Sequence, residues 1–156
     1  GDVTMSPVPG RLRGRKFSQY EGGHRVPAVA WWPGKIKAGT QSDALLVGFD
    51  LFPTFTELAG IFDSNPDNLD GASAKDHLLH QKPFSDRDMF FGYEPKLGTA
   101  MRRKNWKMII KGYDLQLFDL SKDLKETTNI ASENPENTAS MRKAIENFKE
   151  TVVPGS

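Results

Sequence analysis

The sequence predicts a mixed α/β fold: a strand-and-helix section, then a four-stranded antiparallel sheet packed by a C-terminal helix. Three observations predict it. Val26-Pro27-Ala28-Val29-Ala30-Trp31-Trp32 is an apolar run with the length and bulk of a buried strand. Asp50 to Gly60 sets Leu51, Phe52, Phe55, Leu58 and Ala59 at helical spacing. From Asp88 onward the pattern changes to short alternating runs, followed by one long amphipathic stretch.

Taken in order, residues 1 to 13 hold Pro7 and Pro9 and little apolar pattern, so an irregular entry is expected. Gly22-Gly23 is expected to turn tightly, because glycine takes positive φ freely. The Val26 strand stops at the turn pair Pro33-Gly34. Lys35 to Ser42 reads as loop, and Ala44 to Val47 as a short strand entering the next helix. Asp50 is a good N-cap, Pro53 is tolerable in a first turn, and Gly60 ends the helix. Phe52 and Phe55 read as core. The segment from Ile61 to Leu69, with Asp63, Ser64, Asn65, Pro66 and Asp67, is loop-like. Asp67, Asp70 and Asp76 lack the alternating oxygen ligands and closing Glu of a calcium loop. Ser73 to Leu79 suits a short helix, ended by Lys82-Pro83.

Met89 to Tyr93, Thr99 to Arg103, Trp106 to Lys111 and Gln116 to Leu120 read as the strands of an antiparallel meander, joined by short connections that include Pro95, Gly98 and Gly112. Trp106, Met108 and Ile110 fall on one face; Lys107, Ile109 and Lys111 fall on the other. That alternation suits a sheet covered on one side. The cover is the last helix, with Asn134 as cap, Pro135 at its first position, and Met141, Ala144, Ile145, Phe148 and Val152 as its apolar stripe.

The chain has 156 residues, 21 basic and 20 acidic, and no cysteine. The balance gives no polyanion-binding signal, so nucleic acid is not an expected partner. No run approaches the roughly 20 apolar residues that span a bilayer. The sequence opens at Gly1-Asp2 without an initiator Met or a leader pattern, which suggests a piece of a longer protein.

The most informative stretch is Gly14-Arg15-Lys16-Phe17-Ser18-Gln19-Tyr20-Glu21-Gly22-Gly23-His24-Arg25-Val26-Pro27. Polar residues carried by a loop onto a strand end are a common way to build a site. This run, followed by Trp32-Pro33-Gly34-Lys35-Ile36, resembles the sulfatase family. Further matches follow in family order: Ser42-Asp43, Asp50-Leu51-Phe52-Pro53-Thr54, Leu69-Asp70-Gly71, Met101-Arg102, Asn105-Trp106-Lys107, Phe118-Asp119-Leu120, then Asp123, Glu126, Asn129 and Ile130. The resemblance is to the C-terminal part of an arylsulfatase or N-acetylgalactosamine-6-sulfatase-like enzyme. It implies that residues 1–83 are the last section of an alkaline-phosphatase-like α/β catalytic domain and residues 84–156 the smaller C-terminal subdomain.

The resemblance also implies a chemistry, the hydrolysis of sulfate esters. A formylglycine attacks sulfur, and a calcium ion and cationic side chains neutralise the sulfate oxygens. Lys16 matches the motif lysine that contacts sulfate, since a lysine delivers a compact charge from a loop. His24 fills the variable motif position and is a second candidate for touching substrate. Glu21, Gly22, Gly23 and Arg25 are expected to be structural, with Arg25 pairing to a carboxylate or to carbonyls. Arg13 and Arg15 could flank the cleft; His77 and His80 are expected bystanders. The Cys- or Ser-x-Pro-Ser-Arg run, the paired aspartates and the Asp-Asn-Gly metal motif of the family do not occur in this sequence. The nucleophile and the metal ligands are therefore expected outside the chain, and the chain by itself is expected to be inactive, with no metal of its own. The partner implied is a sulfated small molecule or glycan, and the family is commonly periplasmic or secreted.

Two other readings stay open: a related phosphate or phosphonate ester hydrolase, and a non-catalytic carbohydrate- or protein-binding module using Trp31, Trp32 or Tyr93. A lone strand and helix cannot bury both faces, so a compensated core, an exposed apolar patch or self-association is expected in the first half.

Overall fold

The computed structural model describes residues 12–61, 69–94 and 97–152. The expectations for residues 1–11, for Asp63, Ser64, Asn65, Pro66 and Asp67, and for Pro95 lie outside the described residues, as does the Tyr93 side chain. Packing divides the chain into two compact units, Gly1–Val26 with Arg87–Ser156, and Pro27–Asp86. This is a division by contacts, distinct from the family-based one at residue 83. No helix among the described residues is long and apolar enough to cross a membrane.

The first unit holds β1 (Asp88–Glu94), β2 (Gly98–Arg103), β3 (Trp106–Lys111) and β4 (Asp114–Asp119). They form one antiparallel sheet in the order β1-β2-β3-β4, the expected meander. Lys104 (φ 53°) and Gly112 (φ 59°) supply the positive φ of the two-residue hairpin connections. β1 and β2 slip register between Phe91 and Glu94, where Gly92 has φ 68° and a Cβ would run into the Gln19 side-chain amide.

Register fixes what each face carries. Met101 pairs with Met108, and Met108 with Leu117, so all three share one face. That face is covered by α4 (Pro135–Thr151), whose Met141 and Ile145 complete a core with them. Phe90 stacks on Phe148 at 4.3 Å with the rings 2° from parallel. Pro135 opens α4 as expected, while the Asn134 side chain donates to the Ile130 carbonyl instead of capping the helix.

The other face departs from the sequence reading. Arg102 pairs with Lys107, and Lys107 with Phe118. Instead of facing water, this side is roofed by residues 12–26: Ala100, Ile109, Phe118 and Leu120 form a second core with Tyr20 and Phe91. The sheet is covered on both sides. An alternating strand misleads here because the polar member of its buried face, Lys107, is itself enclosed at 0% exposure.

Pro27–Asp86 is irregular up to Val47, then a single 3-10 turn (Gly48–Asp50), α2 (Leu51–Leu58) and α3 (Lys75–His80). The expected buried strand at Val26 to Trp32 is not formed, nor is a strand at Ala44 to Val47. An extended segment becomes a strand only when a neighbour takes up its N–H and C=O groups, and Pro27–Asp86 holds no strand among the described residues. Val29 is 93% exposed and Trp31 84%.

The helix at 51 forms, with the opposite face inward. Pro53 and Thr54 are buried, while Leu51, Phe52 and Phe55 are exposed. Phe52 and Phe55 are therefore not core in this unit. What α2 packs on is the segment after Gly71. Thr54 Oγ1 donates to the Asp50 carbonyl at 2.6 Å and accepts the Ala74 amide at 2.9 Å. The Asp50 carboxylate accepts the Val47 and Ala72 amides, each at 2.9 Å, and makes no side-chain cap to α2. Of the three outcomes anticipated for the first half, exposed apolar side chains are the one that the described residues show.

The two halves should respond differently to truncation. Ile145→Ala is expected to lower the unfolding free energy by about 2–5 kcal/mol, whereas Phe55→Ser should change it by less than about 0.5 kcal/mol. Urea denaturation followed by circular dichroism measures both.

Candidate functional site

The site grows from the segment that roofs the second core. Residues 21–24 form α1 (Glu21–His24), a single helical turn. Gly22 and Gly23 sit inside it without positive φ, so the tight-turn reading fails. Their smallness serves a different need. A Cβ on Gly22 would lie 2.5 Å from the Arg13 carbonyl oxygen, and one on Gly23 would collide with the Ser18 carbonyl. The Gly22 amide donates to that Arg13 carbonyl at 2.7 Å. Glycine here permits two strands of backbone to approach closely.

α1 places Glu21 over the middle of the sheet, where it is 2% exposed. Lys107 Nζ rises from β3 to lie 2.9 Å from Glu21 Oε1 and 3.0 Å from Glu126 Oε1. Glu126, fully buried, also accepts the Glu21 amide on Oε2 at 2.7 Å. Arg25 Nε donates to Glu21 Oε2 at 2.8 Å, and an Arg102 nitrogen lies 3.6 Å from the same oxygen. Two buried carboxylates thus meet a buried lysine, a half-buried Arg102 and, at the surface, Arg25, which is tolerable only because each buried charge is paired.

Protonation follows from this. Burial alone would push the Glu21 carboxyl up; Lys107, Arg25 and Arg102 outweigh it and hold the group below its ordinary range. Burial wins at Glu126, which is raised despite the Glu21 amide and Lys107. Burial also pulls Arg102 down, against the attraction of Glu21. His24 is held down by burial and then by the Lys107 charge, with Glu21 opposing. Its ring packs on Phe91 at 4.7 Å, and Nε2 lies 3.3 Å from Gln19 Oε1.

Lys16 stands apart from this network. Its side chain is exposed, and its Nζ lies 5.0 Å from the Phe17 ring centroid. No ion pair or side-chain hydrogen bond reaches it among the described residues. Arg15 is exposed beside it, while Arg13 folds back, 3.9 Å over the Tyr20 ring and donating to the Glu126 carbonyl at 2.5 Å. Of the sequence candidates, Glu21 meets Lys107, Arg25 pairs with Glu21, and Gly22 and Gly23 lie against the backbone of residues 13–18; Lys16 projects from the same segment. His77 belongs to the other unit, where its Nε2 lies 2.7 Å from Ser42 Oγ.

Sequence reasoning missed Lys107, Glu126 and Arg102 as parts of one network. The signal was there: all three fall on motif matches, yet nothing in their spacing says that they converge. Glu126 does so from a left-handed conformation at φ 55°, which no pattern announces.

Two outcomes are expected. Lys107→Met leaves the buried carboxylates undercompensated and should cost about 3–5 kcal/mol, most of it recovered when Glu21→Gln and Glu126→Gln are added; chemical denaturation reads both. His24 is neutral-favoured in the folded state, so its contribution is present above the ordinary imidazole value of about 6.5 and lost as pH falls through the lower folded value. Unfolding free energy should therefore decline on acidification below that value, less so in His24→Gln.

The chain matches the family model described as N-sulphoglucosamine sulphohydrolase, C-terminal, over residues 14–151. It is 36% identical over 146 residues to arylsulfatase K of Mus musculus, covering 83% of this chain and 26% of the relative. It is 30% identical over 159 residues to N-acetylgalactosamine-6-O-sulfatase of Bacteroides thetaiotaomicron, covering 90% of this chain and 30% of the relative. The crystal structure of Ps i-CgsB in complex with k-i-k-neocarrahexaose matches with a TM-score of 0.79 and 27% identity, over 90% of this chain and 32% of that one. Across such curated relatives the chain spans from 15% to 30% of their length. A match of this extent, carrying the Gly14 to Pro27 motif within it, means that the chain belongs to the sulfatase family, in the C-terminal region.

Proposed function

We propose that this chain is the C-terminal portion of a sulfuric ester hydrolase of the arylsulfatase type, and that Lys16 contacts the sulfate. One observation carries the reading. Within the family match, Lys16 is an exposed ammonium without a carboxylate partner among the described residues, on a segment otherwise pinned to the sheet. A sulfate ester gathers charge on its oxygens as the bond to the leaving group breaks. A fixed ammonium beside those oxygens stabilises that charge more than it stabilises the ground state. In this reading residues 1–83 complete the catalytic α/β domain and residues 84–156 form its C-terminal subdomain.

Calcium and formylglycine are the groups the family implies. Among the described residues no set of three or more His, Cys, Asp or Glu is placed to hold a metal. The chain has no cysteine from which a formylglycine could be made, and no Ser in the required run. The residues present do not fit either group, and both belong in this reading to the remainder of the polypeptide. The substrate class proposed is a sulfated carbohydrate. The N-acetylgalactosamine-6-O-sulfatase relative and the i-CgsB complex with k-i-k-neocarrahexaose support it.

The exposure of Trp31 supports a second reading, a binding module whose indole stacks on sugar rings. The tests separate the two. The 156-residue chain alone should show no turnover of 4-nitrophenyl sulfate and no retention on sulfated oligosaccharide resin. The longer polypeptide should turn over, with Lys16→Ala reducing kcat/KM by about 100-fold, in line with loss of one charge-stabilising group. Turnover by the isolated chain would overturn the assignment of the nucleophile elsewhere, and tight retention by it would favour the module.

A further inference from the structure

The centre of the ion-pair network, Lys107 with Glu21 and Glu126, is buried and carries no group that could meet a substrate directly. We infer that Lys107, together with Glu126, is a positioning residue for Lys16. This rests on the reading of Lys16 as the sulfate contact.

The loop is a short tip between two anchored feet. On the leading side, the Arg13 guanidinium donates to the Glu126 carbonyl at 2.5 Å. On the trailing side, Gln19 Nε2 donates to the Gly98 carbonyl at 3.0 Å, Tyr20 Oη to Gln116 Oε1 at 2.9 Å, and the Glu21 amide to Glu126 Oε2 at 2.7 Å. Glu126 therefore holds both feet, one by its backbone and one by its side chain. Lys107 locks the arrangement from below, because its ammonium reaches both Glu21 and Glu126. The four residues of the tip close on themselves: the Ser18 amide donates to the Arg15 carbonyl at 2.8 Å, and the Arg15 amide to Ser18 Oγ at 3.2 Å.

Phe17 at the tip has φ 71°, a costly conformation for a bulky residue, and its side chain is exposed, so no burial of its own ring holds it there. The anchored feet supply the constraint. A displacement of about 1 Å in a charge-stabilising group can cost on the order of 100-fold in rate. Four buried or half-buried charges, Lys107, Glu21, Glu126 and Arg102, spent on holding a loop, and not on stabilising the sheet, fit that requirement, since a buried ion pair adds little net stability over apolar packing.

The test uses the longer sulfatase polypeptide with the triple change Lys107→Met, Glu21→Gln, Glu126→Gln, which removes the buried lysine and both carboxylates while keeping side-chain size, with Arg25 and Arg102 left in place. Hydrogen exchange of the 12–26 amides and sulfate-ester kinetics are measured with Lys16 intact and in the Lys16→Ala background. The expected result is faster exchange at Ser18, Gly22 and Gly23 with β2–β4 still protected, and kcat/KM about tenfold lower with Lys16 present. In the Lys16→Ala background the triple change should alter kcat/KM less than about twofold, a non-additivity that general destabilisation would not produce. Equal losses in both backgrounds, or unchanged loop exchange, overturn the positioning role while leaving Lys16 in place. Full turnover by Lys16→Ala overturns both readings. If the triple variant loses sheet protection, Glu126→Gln alone, which keeps the Lys107–Glu21 pair, is put through the same cycle with the same criteria.

Discussion

A lysine ammonium enclosed in the middle of a sheet is the constraint from which the rest follows. Lys107 sits at 0% exposure between Met108 and Trp106, flanked across the sheet by Arg102 and Phe118. Leaving that charge unpaired would cost about 3–5 kcal/mol, a large share of a small domain's stability. Two carboxylates must therefore be brought to it, one from a turn downstream of β4 and one from a segment some eighty residues upstream. The long-range closure of residues 12–26 onto β1–β4 is the physical consequence. So are the close backbone approaches at Gly22 and Gly23, which let α1 sit low enough for Glu21 to reach.

Much of this was legible in the sequence. The meander, its register faces and α4 came from alternation, turn residues and the Asn134-Pro135 start, all of them local signals. The helix over Leu51–Leu58 was also legible, because its spacing is helical whatever it packs against. What escaped was tertiary. Period-two alternation places Lys107 opposite Met108 but cannot tell a solvated face from one roofed by a distant loop. The glycine pair signalled a backbone demand, yet close approach and positive φ leave the same letter in the sequence. Lys16 was singled out by a family motif alone; composition gives it no distinction among 21 basic residues.

The Pro27–Asp86 unit shows the reverse situation. Its apolar pattern is strong, but Val29, Trp31, Phe52 and Phe55 remain in solvent while Pro53, Thr54 and Asp50 turn inward. Amphipathicity specifies that a face wants cover and says nothing about which element provides it. The unit's internal order instead comes from side-chain capture of backbone amides, through Asp50 and Thr54, which fixes local geometry without a large core.

A sheet sandwiched between a C-terminal helix and an N-terminal loop also sets how this protein can be cut. Boundaries drawn at the first residue of β1 would yield a piece with Ala100, Ile109 and Phe118 laid bare and, among them, an ammonium stripped of its Glu21 partner. Such a piece would be prone to clump before it could fold. Any excision, circular permutation or domain graft that hopes to keep the meander soluble has to carry the segment from Arg13 to Arg25 along with it, covalently or in trans.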